Sequence, residues 1–459
     1  MRFIMLLDLQ DQRSFYMIIQ CSYITQNDLE YAIETLEMCK QDDAKSCGFN
    51  YPYFTPGGHY GKQWWQLDST VSLRGYQWVD RAFTETSLLN FIESQRDDGR
   101  ICLWGADDLP LVVAGGDRLT QTVGVSSLPK LFDVAYHIVK GSTDKNLKLL
   151  TYKMMKRYLD WWFLNRQDKE TGLISAVFEE TFVPYLGSAG EYAPVDTNVE
   201  VCVGCHYTGL LAKELGMTED ASLLEARKAQ LKQSINQYLW NEEKGAYFAY
   251  LINEKKLSDR LMASTFFPLR MNIAGKDRAE KLIRLLKDHE HFNWDTIPLT
   301  SVSKQDSIFT VTTGEYQGNA SWSGNVWTLI NEMVVRGLFD CGEVDLATEL
   351  CFKTICIFNH NSAEFVNPFD GSGHGVIRYA WTASQYLELI VEIIFGVSYS
   401  ADNKTVTVSP KIPKQLKNER ISITELAVTN DISIDINIDH GEVRYSVSDD
   451  SVKVVVESN

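Results

Sequence analysis

Several absences narrow the function of this 459-residue chain before any motif is considered. No window holds the roughly eighteen consecutive apolar residues of a membrane span, so no membrane partner is expected. Basic clusters are also missing: 44 Lys and Arg stand against 61 Asp and Glu, for a net charge of −17. A protein that reads phosphate backbones concentrates its cations, so nucleic acid is excluded as a partner. The segment from Met1 to Cys21 interrupts its apolar patch with Asp8, Asp11 and Arg13 and has no small-residue cleavage site. A secretory leader is therefore not expected, and the chain reads as cytoplasmic. Nine cysteines, an odd number widely scattered, fit reduced buried thiols rather than a disulfide framework. Cys202-Val203-Gly204-Cys205-His206 matches the haem-attachment spacing, but it lies in a helical pattern and lacks a second cysteine pair. It reads as core, and neither a metal nor an organic cofactor is expected.

Aromatic residues, in contrast, are plentiful: 12% of the chain, with 11 Trp. Trp161 and Trp162 belong to a helical core pattern. Trp64, Trp65, Trp104, Trp322 and Trp327 instead stand near Gly, Asp or Asn. Rings at such junctions can floor a sugar site, because the apolar face of a pyranose stacks on them while its hydroxyls meet carboxylates and amides.

From about residue 27 to 395, helical periodicity alternates with aromatic or glycine-rich loops. Helices are predicted at Asn27 to Asp42, Arg81 to Gln95, Leu128 to Val139, Asn146 to Asn165, Thr197 to Gly216, Ala221 to Trp240, Arg278 to Asp288, Asn325 to Leu338, Glu343 to Phe358 and Val376 to Ile394. Roughly a dozen helices in hairpins, with the long loops at one end, suggest an all-α (α/α)6 barrel over residues 1–395. After Gly396 the pattern changes to period two, at Thr405 to Val408, Ile421 to Ile423, Ile432 to Ile436, Val443 to Val447 and Val452 to Val456. Residues 396–459 are therefore expected to form a small β domain of about five strands.

Five short segments carry candidate chemistry. Glu364 precedes a loop of Asn367, Pro368, Asp370 and three glycines that feeds an aromatic helix. Pro56 to Ser69 joins glycines to Trp64, Trp65 and Asp68, where Asp68 or Ser69 equally suits a helix N-cap. Glu179 and Glu180 adjoin in a stretch with Phe178, Phe182 and Tyr185, and desolvation and like charge there would raise a carboxyl pKa as a general acid requires. Asp196 and Asn198 open the next helix, with N-capping the leading role for Asp196. Trp322 and Trp327 bracket a Ser-Gly-Asn turn.

The ordered set of these blocks, Trp65 to Asp68, Gly172 to Val183, Asp196 to Asn198, Pro298 to Ser303, Trp322 to Leu338 and Glu364 to Ala383, resembles the six-hairpin glycoside hydrolases. That group includes trehalases, family 63 processing α-glucosidases and mannosylglycerate hydrolases. The resemblance implies an inverting glycoside hydrolase acting on a small carbohydrate or oligosaccharide without a cofactor. It gives Glu364 the place of the general base and sets Trp65, Asp68, Asp196, Asn198, Trp322, Trp327 and Trp381 around the sugar. Two departures stand out: Ser323 replaces the family's Arg, and Val183 falls where the family keeps its catalytic Asp. A neighbour must then supply the acid, with Glu180 the first choice and Glu179 the second. The alternatives are a phosphorolytic enzyme, for which His374 between glycines is the hint, and a sugar-binding protein that has lost its acid.

Overall fold

The computed structural model describes residues 17–106, 111–112, 118–119, 124–184 and 190–457. The N-terminal patch up to residue 16 and Tyr185 lie outside the described residues. Eleven α-helices are present among the described residues: α1 (Gln26–Cys39), α2 (Gln66–Tyr76), α3 (Arg81–Glu93), α4 (Leu131–Lys140), α5 (Lys145–Asn165), α6 (Val195–Glu214), α7 (Thr218–Ser234), α8 (Lys276–Leu286), α9 (Thr328–Asp340), α10 (Val344–Phe358) and α11 (Ala380–Glu388). Ten of them overlap the periodic segments named above. Their ends are set by local chemistry. Thr25, rather than Asn27, caps α1 in a reciprocal box with Asp28, and Asp80 and Asp144 cap α3 and α5.

Two inner elements fall outside the helical segments that periodicity predicts. Helix α2 is buried on nearly every face, and Ala263–Asn272 is a 3-10 stretch containing Pro268 and kinked at Arg270 and Met271. Both belong to an inner layer. Along the chain, elements buried all round (α2, α4, α6, Ala263–Asn272, α9, α11) alternate with more exposed ones. Each inner element packs against the next, and α11 returns to pack against α2. A one-sided apolar stripe is the mark of a half-exposed helix, and α2, buried on nearly every face, has none.

The inner layer also holds a network of paired charges. Arg74 of α2 meets Glu392 at 2.7 Å and Asp133 of α4 at 3.4 Å. Lys130 meets Asp133 at 3.2 Å and Glu332 of α9 at 3.1 Å, and Arg336 meets Glu332 at 3.0 Å and Glu392 at 2.9 Å. Ions at this depth are tolerated because each has opposite charges around it, and removing one would strand its partners.

Cys202 and Cys205 are fully buried on α6, where the Cys202 thiol lies 3.7 Å from the Lys228 carbonyl of α7. Burial pushes the Cys202 thiol up to about 12. Beyond Gly396, Val397–Ser400, Thr405–Val408 and Lys453–Val456 form one sheet. Arg420–Ala427, Ser433–Asp439 and Glu442–Val447 form a second, completed by Ile18–Gln20 from the other end of the chain, whose Ile19 is buried against Ile423.

The crossing of α2 and α11 closes the inner layer through a glycine. Gly75 N–H donates to Ser384 Oγ at 2.8 Å, and a Cβ on Gly75 would stand 1.9 Å from the Ser384 carbonyl oxygen. Gly75→Ala is expected to destabilise the fold by about 3 kcal/mol or more through overpacking, read from the midpoint of urea unfolding. An unchanged midpoint would show that this crossing is not tightly packed.

Candidate active site

The starts of α2, α9 and α11 face a cavity of about 290 Å3. Three carboxylates line it, Asp68, Glu179 and Glu364, among the rings of Tyr60, Trp65, Phe182, Tyr316, Trp322, Trp327, Tyr379 and Trp381.

Glu364 leads into a short hairpin in which Phe365–Val366 pairs with Gly373–His374. The sequence places this carboxylate at a rim. The structure buries it, at 1% exposure. Its backbone N–H donates to the Val376 carbonyl at 2.8 Å, and Val376 N–H donates to its Oε2 at 3.0 Å. Gly375 stands over that oxygen with φ +70°, and a Cβ there would lie 2.4 Å from Oε2. Only glycine suits both the left-handed backbone and the contact. Oε1 accepts a long hydrogen bond from the Tyr60 hydroxyl at 3.4 Å. Burial first, then the charge of Asp68, pushes the Glu364 carboxyl up to about 8, against the pull of Val376 N–H and Tyr60.

Asp68 lies in the first turn of α2, which begins at Gln66 with Trp65 as its cap, so Asp68 is inside the helix rather than at the N-cap. The Tyr379 hydroxyl donates to its Oδ1 in a short bond. Burial pushes Asp68 up to about 7.

The adjacent glutamates separate. Both sit in the 3-10 turn Phe178–Glu180. Glu179 faces the cavity, and burial together with the charge of Asp68 pushes it up to about 7. Glu180 is turned into the protein at 0% exposure. Arg166 grips it through Nε at 2.7 Å and Nη2 at 2.8 Å, while the backbone N–H groups of Ser126 and Val177 donate at 2.9 and 3.2 Å. Four donors occupy its two oxygens, and it does not line the cavity. Val183 is buried against Met262 and Val302 in an apolar cluster.

Asp196 and Asn198 do not line the cavity either. Asp196 accepts from Phe182 N–H at 2.6 Å, Thr197 N–H at 2.9 Å and the Thr181 hydroxyl. Asn198 bonds both backbone groups of Ile174 at 2.8 Å. Together they brace the segment that carries Glu179. Trp322 and Trp327 stack face to face at 3.7 Å and 4°, with Phe182 continuing the stack on Trp322 at 4.8 Å. The indole N–H of Trp381 is buried without an acceptor in the protein. Tyr60, Tyr316 and Tyr379 are cavity residues that motif reading did not single out. Tyr379 does sit two residues before Trp381, but Tyr316 stands in a loop without pattern.

Residues 182–382 match the model of the mannosylglycerate hydrolase MGH1-like glycoside hydrolase domain. A mannosylglycerate hydrolase of Rubrobacter radiotolerans is 28% identical over 40% of this chain and 40% of its own length. The chain spans about half or less of the curated relatives it matches first. The crystal structure of the GH63 mannosylglycerate hydrolase of Thermus thermophilus has TM-score 0.64 at 18% identity, over 78% of this chain and 98% of that one. The GH78 family rhamnosidase of Bacillus sp. GL1 has TM-score 0.68 at 15% identity, over 96% of this chain and 42% of that one. At these identities the two structures share the fold.

The raised carboxyl pKa values weaken the fold at alkaline pH. The native state holds protons that the unfolded chain would release above about pH 4, so stability falls as pH rises through the native values of about 7 and 8. Glu364→Gln removes one such group and is expected to stabilise the protein by about 1–4 kcal/mol at pH 9 and much less at pH 5. Urea unfolding at both pH values would test this. Equal effects at the two would mean that Glu364 ionises normally.

Proposed function

We propose that the protein hydrolyses a glycosidic bond of a small neutral sugar with inversion, using Glu179 as general acid and Glu364 as general base. The observation that carries this reading is the meeting of two desolvated glutamates from distant parts of the chain in one aromatic-walled cavity. The match of residues 182–382 to a glycoside hydrolase domain supports it, as do relatives named mannosylglycerate hydrolase and trehalase. The closed cycle of inner elements supports an (α/α)6 barrel that carries the site, with the strands after Gly396 and Ile18–Gln20 as a β appendage.

In this mechanism Glu179 protonates the departing oxygen while Glu364 takes a proton from water on the other face of the sugar. The rings of Trp322 and Phe182 supply an apolar wall, and the Trp381 N–H and Tyr316 hydroxyl have hydrogen bonds to give. The sugar is read as neutral because the cavity carries three carboxylates and, among its described lining residues, neither Lys nor Arg. A carboxylate on the leaving group would be desolvated there without a cation. Phosphorolysis gains no support from His374, whose two ring nitrogens are engaged by Gly314 and Ser372.

Removing the acid should hurt poor leaving groups most. Glu179→Gln is expected to lower turnover of a natural disaccharide by about two to four orders of magnitude while sparing much of the rate on a nitrophenyl glycoside, and Glu364→Gln to lower both. Glu180→Gln should instead lower stability by leaving Arg166 partly unpaired. Equal losses for Glu179→Gln on both substrates would remove it as the acid, and a wild type that binds sugar but turns over neither would favour the binding-protein alternative.

Activity also requires opposite protonation states of the two glutamates. Falling pH protonates Glu364 (about 8) and rising pH ionises Glu179 (about 7), so kcat/KM should form a narrow bell centred between about 7 and 8. A plateau reaching down to pH 5 would contradict these assignments.

A further inference from the structure

We propose that His374 is a positioning residue that clasps the loop carrying Tyr316 to the hairpin carrying Glu364, and that protonation of its ring opens the clasp. The role assigned to Glu364 rests on the function proposed above; the clasp itself rests on hydrogen bonds.

Tyr316 belongs to a loop between Ser303 and Gly318 with little regular structure. Its hydroxyl accepts the Trp322 indole N–H at 3.1 Å, which leaves its own proton for a ligand in the cavity. Near the C-terminal end of the loop, Gln317 N–H donates to Ser321 Oγ at 2.9 Å. Two residues before Tyr316, Gly314 is bonded twice to the strand that returns after Glu364. Gly375 N–H donates to the Gly314 carbonyl at 2.7 Å, and Gly314 N–H donates to His374 Nδ1 at 3.2 Å.

That second bond fixes the chemistry of the ring. Nδ1 can accept only if it carries no proton, so the imidazole is neutral with its hydrogen on Nε2. Nε2 then donates to Ser372 Oγ at 2.9 Å, and the Ser372 hydroxyl donates to Asp370 Oδ1 at 2.6 Å. The chain of donors has a single direction, from Gly314 through His374 and Ser372 to Asp370. A proton added at Nδ1 would set one N–H against another and end the bond to Gly314. The charged group tied into this chain of donors is Asp370; Glu364 and Glu315 are the sequence neighbours of Phe365, which pairs with His374, and of Gly314.

The consequence reaches both sides of the cavity. Gly375 is also the residue whose missing Cβ makes room for Glu364 Oε2, so a shift at His374 and Gly375 moves the Tyr316 wall and the base together. His374 itself does not line the cavity and acts through these two groups.

The test compares the wild type with His374→Asn, whose side-chain oxygen can accept the Gly314 N–H but cannot be protonated, and His374→Ala, which cannot accept it. Hydrogen exchange of the peptide spanning residues 307–321, corrected for intrinsic pH dependence, reports the clasp without requiring turnover. Wild-type protection is expected to fall about fivefold or more from pH 8 to pH 5, while the Asn variant stays protected and the Ala variant is open throughout. KM for a glycoside should follow the same pattern, rising about three- to tenfold in acid for wild type and at every pH for the Ala variant, with kcat tracking the two glutamates. Wild-type protection that ignores pH, or Asn and Ala variants that behave alike, would overturn the clasp; a KM that does not follow exchange would overturn its positioning role. A wild type that turns over no glycoside would sink the proposed function, and exchange would still decide the clasp.

Discussion

Burial of the inner helices on every side is the constraint from which the rest of the structure follows. Helices α2, α4, α6, α9 and α11, with the Ala263–Asn272 stretch, have no solvent face to which a polar side chain could turn. Most charged groups they carry therefore find opposite charges inside the protein, although Glu200 on α6 has no hydrogen-bond partner. Arg74, Lys130 and Arg336 are paired with Asp133, Glu332, Glu388 and Glu392.

In the cavity the charge balance is left incomplete: Asp68, Glu179 and Glu364 share it with His59 and without a Lys or Arg among its described lining residues. Desolvation that neutral pH would otherwise penalise becomes the source of their raised proton affinity. The same three groups then hold protons in a range where general acid and base chemistry operates, and they lower stability as pH rises. Contacts behind the cavity wall decide which carboxylate is used. Arg166 takes Glu180 out of the site, Asp196 and Asn198 brace the loop that presents Glu179, and Val376 with Gly375 aims Glu364.

Much of the secondary structure was legible because outer helices and edge-facing strands repeat their burial at regular spacing. The amphipathic helices and the alternating strand Ser433–Asp439 leave that mark, and the ordered Trp, Asp and Glu blocks pointed to Trp65, Asp68, Glu364, Trp322, Trp327 and Trp381. Helix α2 escaped because a helix buried all round has no stripe. Tyr316 escaped because a loop residue that reaches the cavity through tertiary packing has no local period.

The sequence by itself determined where every helix but α2 among the eleven described, and most of the C-terminal strands, run, since those depend on local spacing of apolar residues and on caps such as Thr25 and Asp144. Only the tertiary structure decided which of two neighbouring glutamates faces the cavity. Glu179 and Glu180 are consecutive and chemically identical, and their difference comes from Arg166, fourteen positions upstream of Glu180, and from backbone donors at Ser126 and Val177 that the chain brings together only when folded. The same reason moved Asp196 and Asn198 from the sugar to the frame: a residue's type limits the bonds it can make, while its neighbours in space choose among them.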